Sequence, residues 1–182
     1  FDCIVACGAM GARPHYRPQP RPLAAGELLL LDLGVLYEGY CSDMTRVVGL
    51  GRKPKARLMK AYAAVLAAQE AALREVGPGV ACRDLDAIAR EALRRRKLDR
   101  AFTHGLGHGV GLEIHEAPTL NARSQEILRP GMVVTIEPGV YLPGLGGVRI
   151  EDLVVVTRHG HRGLSRTTKA FRLLPFDRPV RG

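Results

Sequence analysis

The amino-acid sequence of this chain predicts an α+β domain built around a curved antiparallel sheet. Two observations lead to that prediction. Helical spacing of apolar residues is confined to the middle of the 182 residues, and apolar runs with glycine-rich turns lie on both sides of it. Helices grouped between pairs of strands are typical of this fold class. No internal linker or low-complexity segment interrupts the chain, so we expect one domain.

The first part of the sequence predicts a strand, a loop and a hairpin. Residues 1–10 form a short apolar run that ends at a glycine turn. Residues 11–24 are rich in proline and arginine, contain His15, and predict an extended loop. The runs LLLLDLGVLY and YCSDMTRVVGL then flank Glu38-Gly39, which is typical of a hairpin turn.

Two helices follow, and strands resume after them. Apolar residues recur near helical spacing over residues 55–76, and Gly77-Pro78-Gly79 predicts the end of that helix. A second helix is predicted over roughly residues 83–97. From Phe102 onward, strands alternate with glycine-rich turns, and a closing stretch lies near residues 169–174.

Composition excludes some classes of protein. No apolar run approaches 18 residues, so we expect no contact with a membrane. The four cysteines have no paired spacing and are interpreted as buried free thiols of a reducing cytoplasm. The formal charge of +9 lies on arginine-rich helix faces without interleaved aromatic residues, so we expect a solvated basic face and no nucleic-acid partner.

Five side chains stand where a plain fold would place apolar or structural residues. A carboxylate inside an apolar strand is costly unless it is neutralised, paired or bound to a metal. Four carboxylates and one imidazole in such contexts indicate one shared cation site, and this oxygen-rich set suits manganese or two catalytic ions better than structural zinc. The five residues are Asp32 in LLLLDLG, Asp43 in GYCSDMTR, His108 in HGLGHGVG, Glu137 in TIEPGVY and Glu151 in VRIED.

The hairpin makes a pair of aspartates plausible. Asp32 and Asp43 are equidistant from a turn centred at Tyr37–Glu38, so we expect them nearly opposite each other across the ladder. A turn centred one residue later is expected to shift this only slightly. Like charges in that arrangement destabilise a sheet, whereas a dication between them would turn the repulsion into a binding site. The alternative is a surface hairpin with two solvated aspartates.

Three histidines in the glycine-rich segment after Phe102 cannot all be ligands of one ion. His104, His108 and His115 are four and seven residues apart in an extended segment, so we expect one ligand and two side chains that handle substrate or protons. For any single histidine, the alternative is a satisfied polar residue. Arg149 either orients carboxylate ligands or forms a simple cross-strand ion pair.

An ordered series of motifs over nearly the whole chain resembles the pita-bread metallopeptidases of the aminopeptidase P and prolidase branch. The series runs IVACG, PHY, LLLDLGVLYEGYCSDMTR, HGLGHGVGLEIHEAP and LRPGMVVTIEPGVYLPGLGGVRIEDLVVVT. The resemblance implies a pita-bread fold, with residues 1–182 as the catalytic domain. It also implies two divalent metal ions, with manganese preferred and cobalt or zinc tolerated, held by Asp32, Asp43, His108, Glu137 and Glu151.

The same resemblance implies roles for the remaining residues. Asp43 and Glu151 bridge both ions, and Glu137 also transfers a proton. It assigns His15, His104 and His115 to substrate contact and proton handling, and Arg149 to the orientation of ligands. The expected reaction is hydrolysis of the bond between the first residue of a peptide and a proline at position two.

Alternatives remain open at this point. A methionine-aminopeptidase-like enzyme shares the ligands, and a non-catalytic peptide-binding module shares the fold. Dipeptidase and longer-substrate aminopeptidase are equally compatible with the sequence. Members of the family normally have further N-terminal segments, so we expect the fold to be incomplete at its N-terminus and the chain to associate with such a fragment or with a second copy.

Overall fold

The computed structural model describes residues 2–176, in which the chain forms thirteen β-strands and two α-helices. The predicted domain spans residues 1–182, so its first residue and its last six lie outside the described range. The helices are α1 (Ala56–Glu75) and α2 (Cys82–Arg94). The strands are β1 (Ile4–Cys7), β2 (Leu28–Leu33), β3 (Leu36–Tyr37), β4 (Tyr40–Cys41), β5 (Met44–Leu50), β6 (Gly107–Gly109), β7 (Glu116–Leu120), β8 (Val133–Ile136), β9 (Gly139–Leu142), β10 (Gly146–Arg149), β11 (Asp152–Thr157), β12 (Gly160–Gly163) and β13 (Leu173–Leu174).

The strands form two larger sheets and two short ribbons. One sheet has the order β1-β2-β5-β13 and the other has the order β12-β11-β8-β6-β7, while β9 pairs with β10 and β3 with β4. The pairings are antiparallel as predicted, except that β13 runs parallel to β5. The two long apolar runs of the C-terminal half are each split into two strands, at Glu137-Pro138 and at Ile150–Glu151. Both breaks therefore fall at predicted metal ligands.

The two helices form where apolar spacing predicts them. α1 is rich in alanine, the residue with the highest helix propensity, and it ends before Gly77-Pro78. It packs on α2 and on β10, and the core lies between the helices and the sheets. The second helix ends at Arg94, three residues earlier than predicted. There the amide of Leu98 donates to the carbonyl of Leu93 while Lys97 has φ 57°, a hydrogen bond that closes the helix end.

The register of the hairpin differs from the predicted one. Glu38 (φ 49°) and Gly39 (φ 83°) occupy the turn, and Tyr37 pairs with Tyr40. The turn is thus centred one residue later than expected, and the partner of Asp32 across the ladder is Thr45. Asp43 precedes β5 and does not lie opposite Asp32.

Two sequence expectations about composition meet the structure here. In the described part of the chain, no helix is long and apolar enough to cross a membrane. All four cysteines are free thiols as predicted, but only Cys7 and Cys82 are buried. Cys3 is exposed, and Cys41, in strand β4 of the hairpin, is half-buried.

Candidate functional site

One cavity of about 740 Å³ is lined by every side chain that the sequence predicted to act. The residues come from both large sheets, from the loop after β1, from the segment before β6 and from the β9–β10 ribbon. Chain segments far apart in sequence therefore meet at one place. These residues are His15, Asp32, Asp43, His104, His108, His115, Glu137, Arg149 and Glu151.

Three of the five predicted ligands form the centre of the cavity. Asp43, His108 and Glu151 each place one ligand atom within 4.8 Å of the others. Oδ1 of Asp43 and Oδ1 of Asp32 are buried without a hydrogen-bond partner, although buried polar atoms are normally paired. Two carboxylate oxygens without partners, beside the imidazole of His108 and the carboxylate of Glu151, fit an oxygen-coordinated divalent cation.

Glu137 extends this cluster from the end of β8. Its Oε1 lies 3.1 Å from Nε2 of His108, which in turn lies 3.7 Å from Oδ2 of Asp43. The hydroxyl of Thr135 donates to Oε1 of Glu137 at 3.0 Å and accepts a hydrogen bond from the amide of His108 at 3.0 Å. Thr135 thus fixes the carboxylate and the imidazole relative to each other.

Asp32 is the fifth predicted ligand, and Arg149 holds it. Nη2 of Arg149 donates to Oδ2 of Asp32, while its Nε donates to the hydroxyl of Thr45 at 3.1 Å. That hydroxyl donates to Oε2 of Glu151 at 2.6 Å. Arg149 lies in the β9–β10 ribbon and Asp32 in another sheet, so the contact is not a cross-strand pair.

The electrostatics reflect crowded negative charge. Burial, together with the charges of Asp32 and Glu137, raises the pKa of Asp43 to about 7. Burial and the neighbouring carboxylates raise the pKa of Glu151 well above its ordinary value. A carboxylate that is costly to ionise in this setting is stabilised when a cation enters.

The contact between Glu137 and His108 shifts both pKa values in the direction that favours the charged forms. Burial opposes ionisation of Glu137, but its hydrogen bond with His108 and the nearby positive groups hold the pKa of this carboxyl below its ordinary value. Burial would lower the pKa of His108, yet the contact with Glu137 raises it. The two groups therefore stabilise each other's charged form.

The other three histidines that line the cavity surround the cluster without joining its centre. Nε2 of His104 lies 2.8 Å from the hydroxyl of Tyr141, and burial lowers the pKa of His104. The ring of His115 lies 4.2 Å from that of His108, and burial followed by the charge of His108 lowers its pKa. His15 is exposed at the cavity wall.

Sequence reasoning missed the uncharged partners of these groups. The hydroxyl of Tyr141 accepts a hydrogen bond from Nη1 of Arg149 at 2.8 Å and donates one to Nε2 of the neutral His104 ring. Thr45 and Thr135 hold Glu151 and Glu137. Thr45 becomes recognisable once the register places it opposite Asp32. Tyr141 lies in the apolar run GVYL, where no sequence signal distinguishes it from a core residue.

Comparison with known proteins relates this geometry to a family. The profile of metallopeptidase family M24 matches residues 1–158. The Xaa-Pro dipeptidase of Pyrococcus furiosus is 44% identical over 169 residues, which is 93% of this chain and 48% of that protein. The chain therefore spans about half the length of the curated relatives that it matches.

Solved structures agree with the sequence match. A structure of an Xaa-Pro dipeptidase from Bacillus anthracis superposes with a TM-score of 0.93 at 42% identity, covering 96% of this chain and 49% of that one. An X-Pro aminopeptidase from Thermotoga maritima superposes with a TM-score of 0.92 at 39% identity, again covering 96% and 49%. The predicted pita-bread fold is confirmed, and the chain belongs to metallopeptidase family M24.

Proposed function

We propose that this chain is the catalytic domain of a metal-dependent exopeptidase that hydrolyses the bond before a proline at position two of a peptide. The observation that carries the proposal is the convergence of four carboxylates and His108 in one cavity whose walls hold three more histidines. Relatives with Xaa-Pro dipeptidase or X-Pro aminopeptidase in their names support the substrate class.

The donor set is suited to two divalent ions. We propose Asp32, Asp43, His108, Glu137 and Glu151 as their ligands, with Asp43 and Glu151 shared between the ions. The orphaned oxygens of Asp32 and Asp43 support this assignment. An oxygen-rich set favours manganese, and cobalt or zinc is also tolerated. Such ions, when bound, polarise the scissile carbonyl and lower the pKa of water.

The side chains of this chain would handle protons and orient the peptide. Glu137 would accept a proton from the attacking water and return it to the leaving proline nitrogen. In the neutral imidazole of His104 the proton lies on Nδ1, which donates to the carbonyl of Gly105, so this ring would contact the substrate and handle protons through Nε2. His115 would donate a hydrogen bond to the carbonyl oxygen as negative charge develops there. His15 and His115 would contact the substrate, and Arg149 would keep Asp32 oriented.

A paired assay tests the proposal against the two alternatives. Hydrolysis of Ala-Pro peptides, but not of Met-Ala peptides, is expected from manganese-loaded protein, with two ions per chain by metal analysis. A methionine-aminopeptidase-like enzyme would show the reverse preference. Protein that takes up no manganese when it is offered, and that binds Xaa-Pro peptides without cleaving them, would support a peptide-binding module and contradict the proposal.

The remaining expectations also belong to this proposal. We expect a reducing cytoplasm, because the four thiols are free. We also expect association with an N-terminal fragment or a second copy, because members of the family normally have further N-terminal segments. Sedimentation of the protein at micromolar concentration tests the second expectation. A stable monomer of 182 residues would contradict it.

A further inference from the structure

Two side chains of helix α2 form hydrogen bonds with the backbone of the segment that carries His104. The carboxylate of Asp86, on the buried face of α2, accepts a hydrogen bond from the amide of Leu106 at 3.1 Å. One turn later, Arg90 binds the same carboxylate through Nε at 2.7 Å. The guanidinium also donates to the carbonyl of Phe102 at 3.1 Å and to the carbonyl of His104 at 2.6 Å. Three backbone groups on residues 102–106 are thus held by one ion pair.

The ring of His104 is oriented by the same ion pair through Phe102. The guanidinium of Arg90 stacks on the Phe102 ring at 4.4 Å from its centroid. That ring in turn meets the imidazole of His104 edge to face, with centroids 5.0 Å apart. From its other side, the imidazole contacts Tyr141. The His104 ring therefore lies between a partner fixed by α2 and a partner fixed by the β9–β10 ribbon.

The far end of the segment reaches a proposed ligand. The carbonyl of Leu106 accepts a hydrogen bond from the amide of Glu137 at 2.8 Å. Asp86 holds the amide of that same residue. Leu106 therefore bonds Asp86 through its amide and Glu137 through its carbonyl, so this one residue links the buried carboxylate of α2 to the backbone of Glu137.

Stability alone is a weak reason for this arrangement. Asp86 is fully buried, and a buried ion pair is often no more stabilising than well-packed apolar residues of similar volume. The same helix carries a second acid–arginine pair, Glu91 with Arg94 at 2.6 Å, on its exposed surface. The exposed pair touches nothing in the cavity, whereas the buried pair touches three backbone groups of the His104 segment.

We propose that Asp86 and Arg90 are a positioning pair that sets the place and ring orientation of His104 for hydrolysis, an inference that rests on the proposed function of the cavity. Neither residue touches the cavity or the proposed ligands. Their effect acts through His104, whose proposed handling of protons belongs to the chemical step rather than to substrate binding. Loss of the pair should therefore lower kcat more than it changes KM.

The test compares Arg90→Gln with Arg94→Gln on the same helix. For Arg90→Gln we expect kcat on an Ala-Pro peptide to fall roughly 10- to 100-fold, with KM and the number of bound manganese ions close to those of the unaltered protein. Arg94→Gln, whose arginine is exposed, should match the unaltered protein in all three measurements. In metal-free protein, NMR should show a shifted His104 ring resonance for Arg90→Gln and none for Arg94→Gln.

A third variant keeps the test decisive if Arg90→Gln does not fold. Arg90→Lys retains a cation beside Asp86 but lacks the forked guanidinium that reaches two carbonyls. Its kcat should therefore lie between that of Arg90→Gln and that of the unaltered protein. Unaltered kcat and an unshifted His104 resonance in Arg90→Lys and Arg90→Gln would overturn the inference. If the unaltered protein cleaves no Xaa-Pro peptide, the proposed function fails, and the His104 resonance still decides whether α2 positions that ring.

Discussion

The hydroxyl of Thr45 serves two charged groups at once, since it donates to Glu151 at 2.6 Å and accepts from Arg149 at 3.1 Å. Valine has a similar shape but neither donates nor accepts. In Thr45→Val we expect the affinity for manganese to fall roughly 10- to 100-fold, because a proposed ligand and its orienting arginine both lose a partner. Metal titration by calorimetry measures this change.

Thr157→Val is the matched control for that variant, because Thr157 ends β11 and bonds only the amide of His159. It should bind manganese like the unaltered protein. Unchanged affinity in Thr45→Val would mean that Glu151 needs no help from the hydroxyl.

Arg17 lines the cavity in which the proposed peptide substrate would bind. Among the described residues that line the cavity, the only lysine or arginine side chains are Arg17 and Arg149, and Arg149 is already bound to Asp32 and Tyr141. Arg17 is exposed and is thus the cation that remains to meet the free carboxylate of a dipeptide.

We expect Arg17→Gln to raise KM for Ala-Pro about tenfold while leaving KM for the amide of Ala-Pro unchanged, since only the acid carries the charge. Steady-state kinetics on the two substrates gives both values. Arg13→Gln, an exposed arginine outside the cavity, should alter neither. An equal rise in KM for acid and amide would contradict a carboxylate contact.

The carboxylates and the histidine proposed as ligands could be predicted one by one, whereas Arg17 and the partners of the ligands could not. Asp32 and Glu151 stand out in the sequence because a carboxylate in an apolar strand requires a reason. Tyr141 and Asp86 have no such signal, because a tyrosine in a strand or an aspartate in a basic helix is ordinary until its contacts are known. Side chains that act through hydrogen bonds across elements are therefore visible only in three dimensions.

At the level of elements, the hairpin shows the limit of register prediction. The sequence predicted the hairpin and its two strands, which the structure contains. The turn nevertheless centres one residue later because Glu38 adopts a positive φ, which a two-residue turn of this kind requires at both central positions. A shift of the turn centre by one residue moves the partner of Asp32 by two residues, from Asp43 to Thr45.

Strands β6 and β8 approach each other closely at Gly107, where there is no room for a side chain. A Cβ on Gly107 would overlap the carbonyl oxygen of Thr135 and lie 2.8 Å from its carbonyl carbon. Both atoms belong to backbone, so β6 and β8 would have to separate. His108 lies in β6 and Glu137 directly follows β8, so a separation of these strands would move both side chains. Gly107→Ala should therefore lose manganese binding and destabilise the protein by about 3 kcal/mol.

Denaturant unfolding and metal titration check this expectation. Gly77→Ala is the control, because a Cβ there would meet only the Cα of Gly160 at 3.6 Å, an ordinary contact. That variant should keep both metal binding and stability. Normal metal binding by Gly107→Ala would mean that the two strands can part without moving their side chains.

At the scale of the whole molecule, one buried network ties together four parts of the chain behind the cavity. Asp152 of β11 binds Arg46 of β5 at 2.6 Å and Lys169 of the C-terminal segment at 2.8 Å. The side-chain amide of Gln69 on α1 donates to the same carboxylate at 3.0 Å. Arg46 also donates to the carbonyl of Glu151, so the network holds the backbone of a residue that lines the cavity.

This network predicts how stability depends on pH. Burial opposes ionisation of Asp152, but hydrogen bonds and charges from Lys169 and Arg46 hold its pKa below the ordinary value. As the pH falls, the unfolded chain takes up the proton first. The stabilisation is therefore fully present above the ordinary pKa of an aspartate and is lost as the pH falls through the lower pKa of the folded protein.

Asp152→Asn removes that charge and leaves two cations without their partner. We expect it to lower the free energy of unfolding by about 3 kcal/mol at neutral pH, and the difference from the unaltered protein should shrink toward about pH 3. Urea unfolding of metal-free protein across this pH range measures the difference. Asp84→Asn removes an exposed aspartate whose contact with Arg83 is 3.8 Å long, so it should show no such dependence. A stability difference for Asp152→Asn that stays constant down to the lowest pH would mean that the carboxylate's charge contributes nothing, and that the loss comes only from altered packing around Arg46 and Lys169.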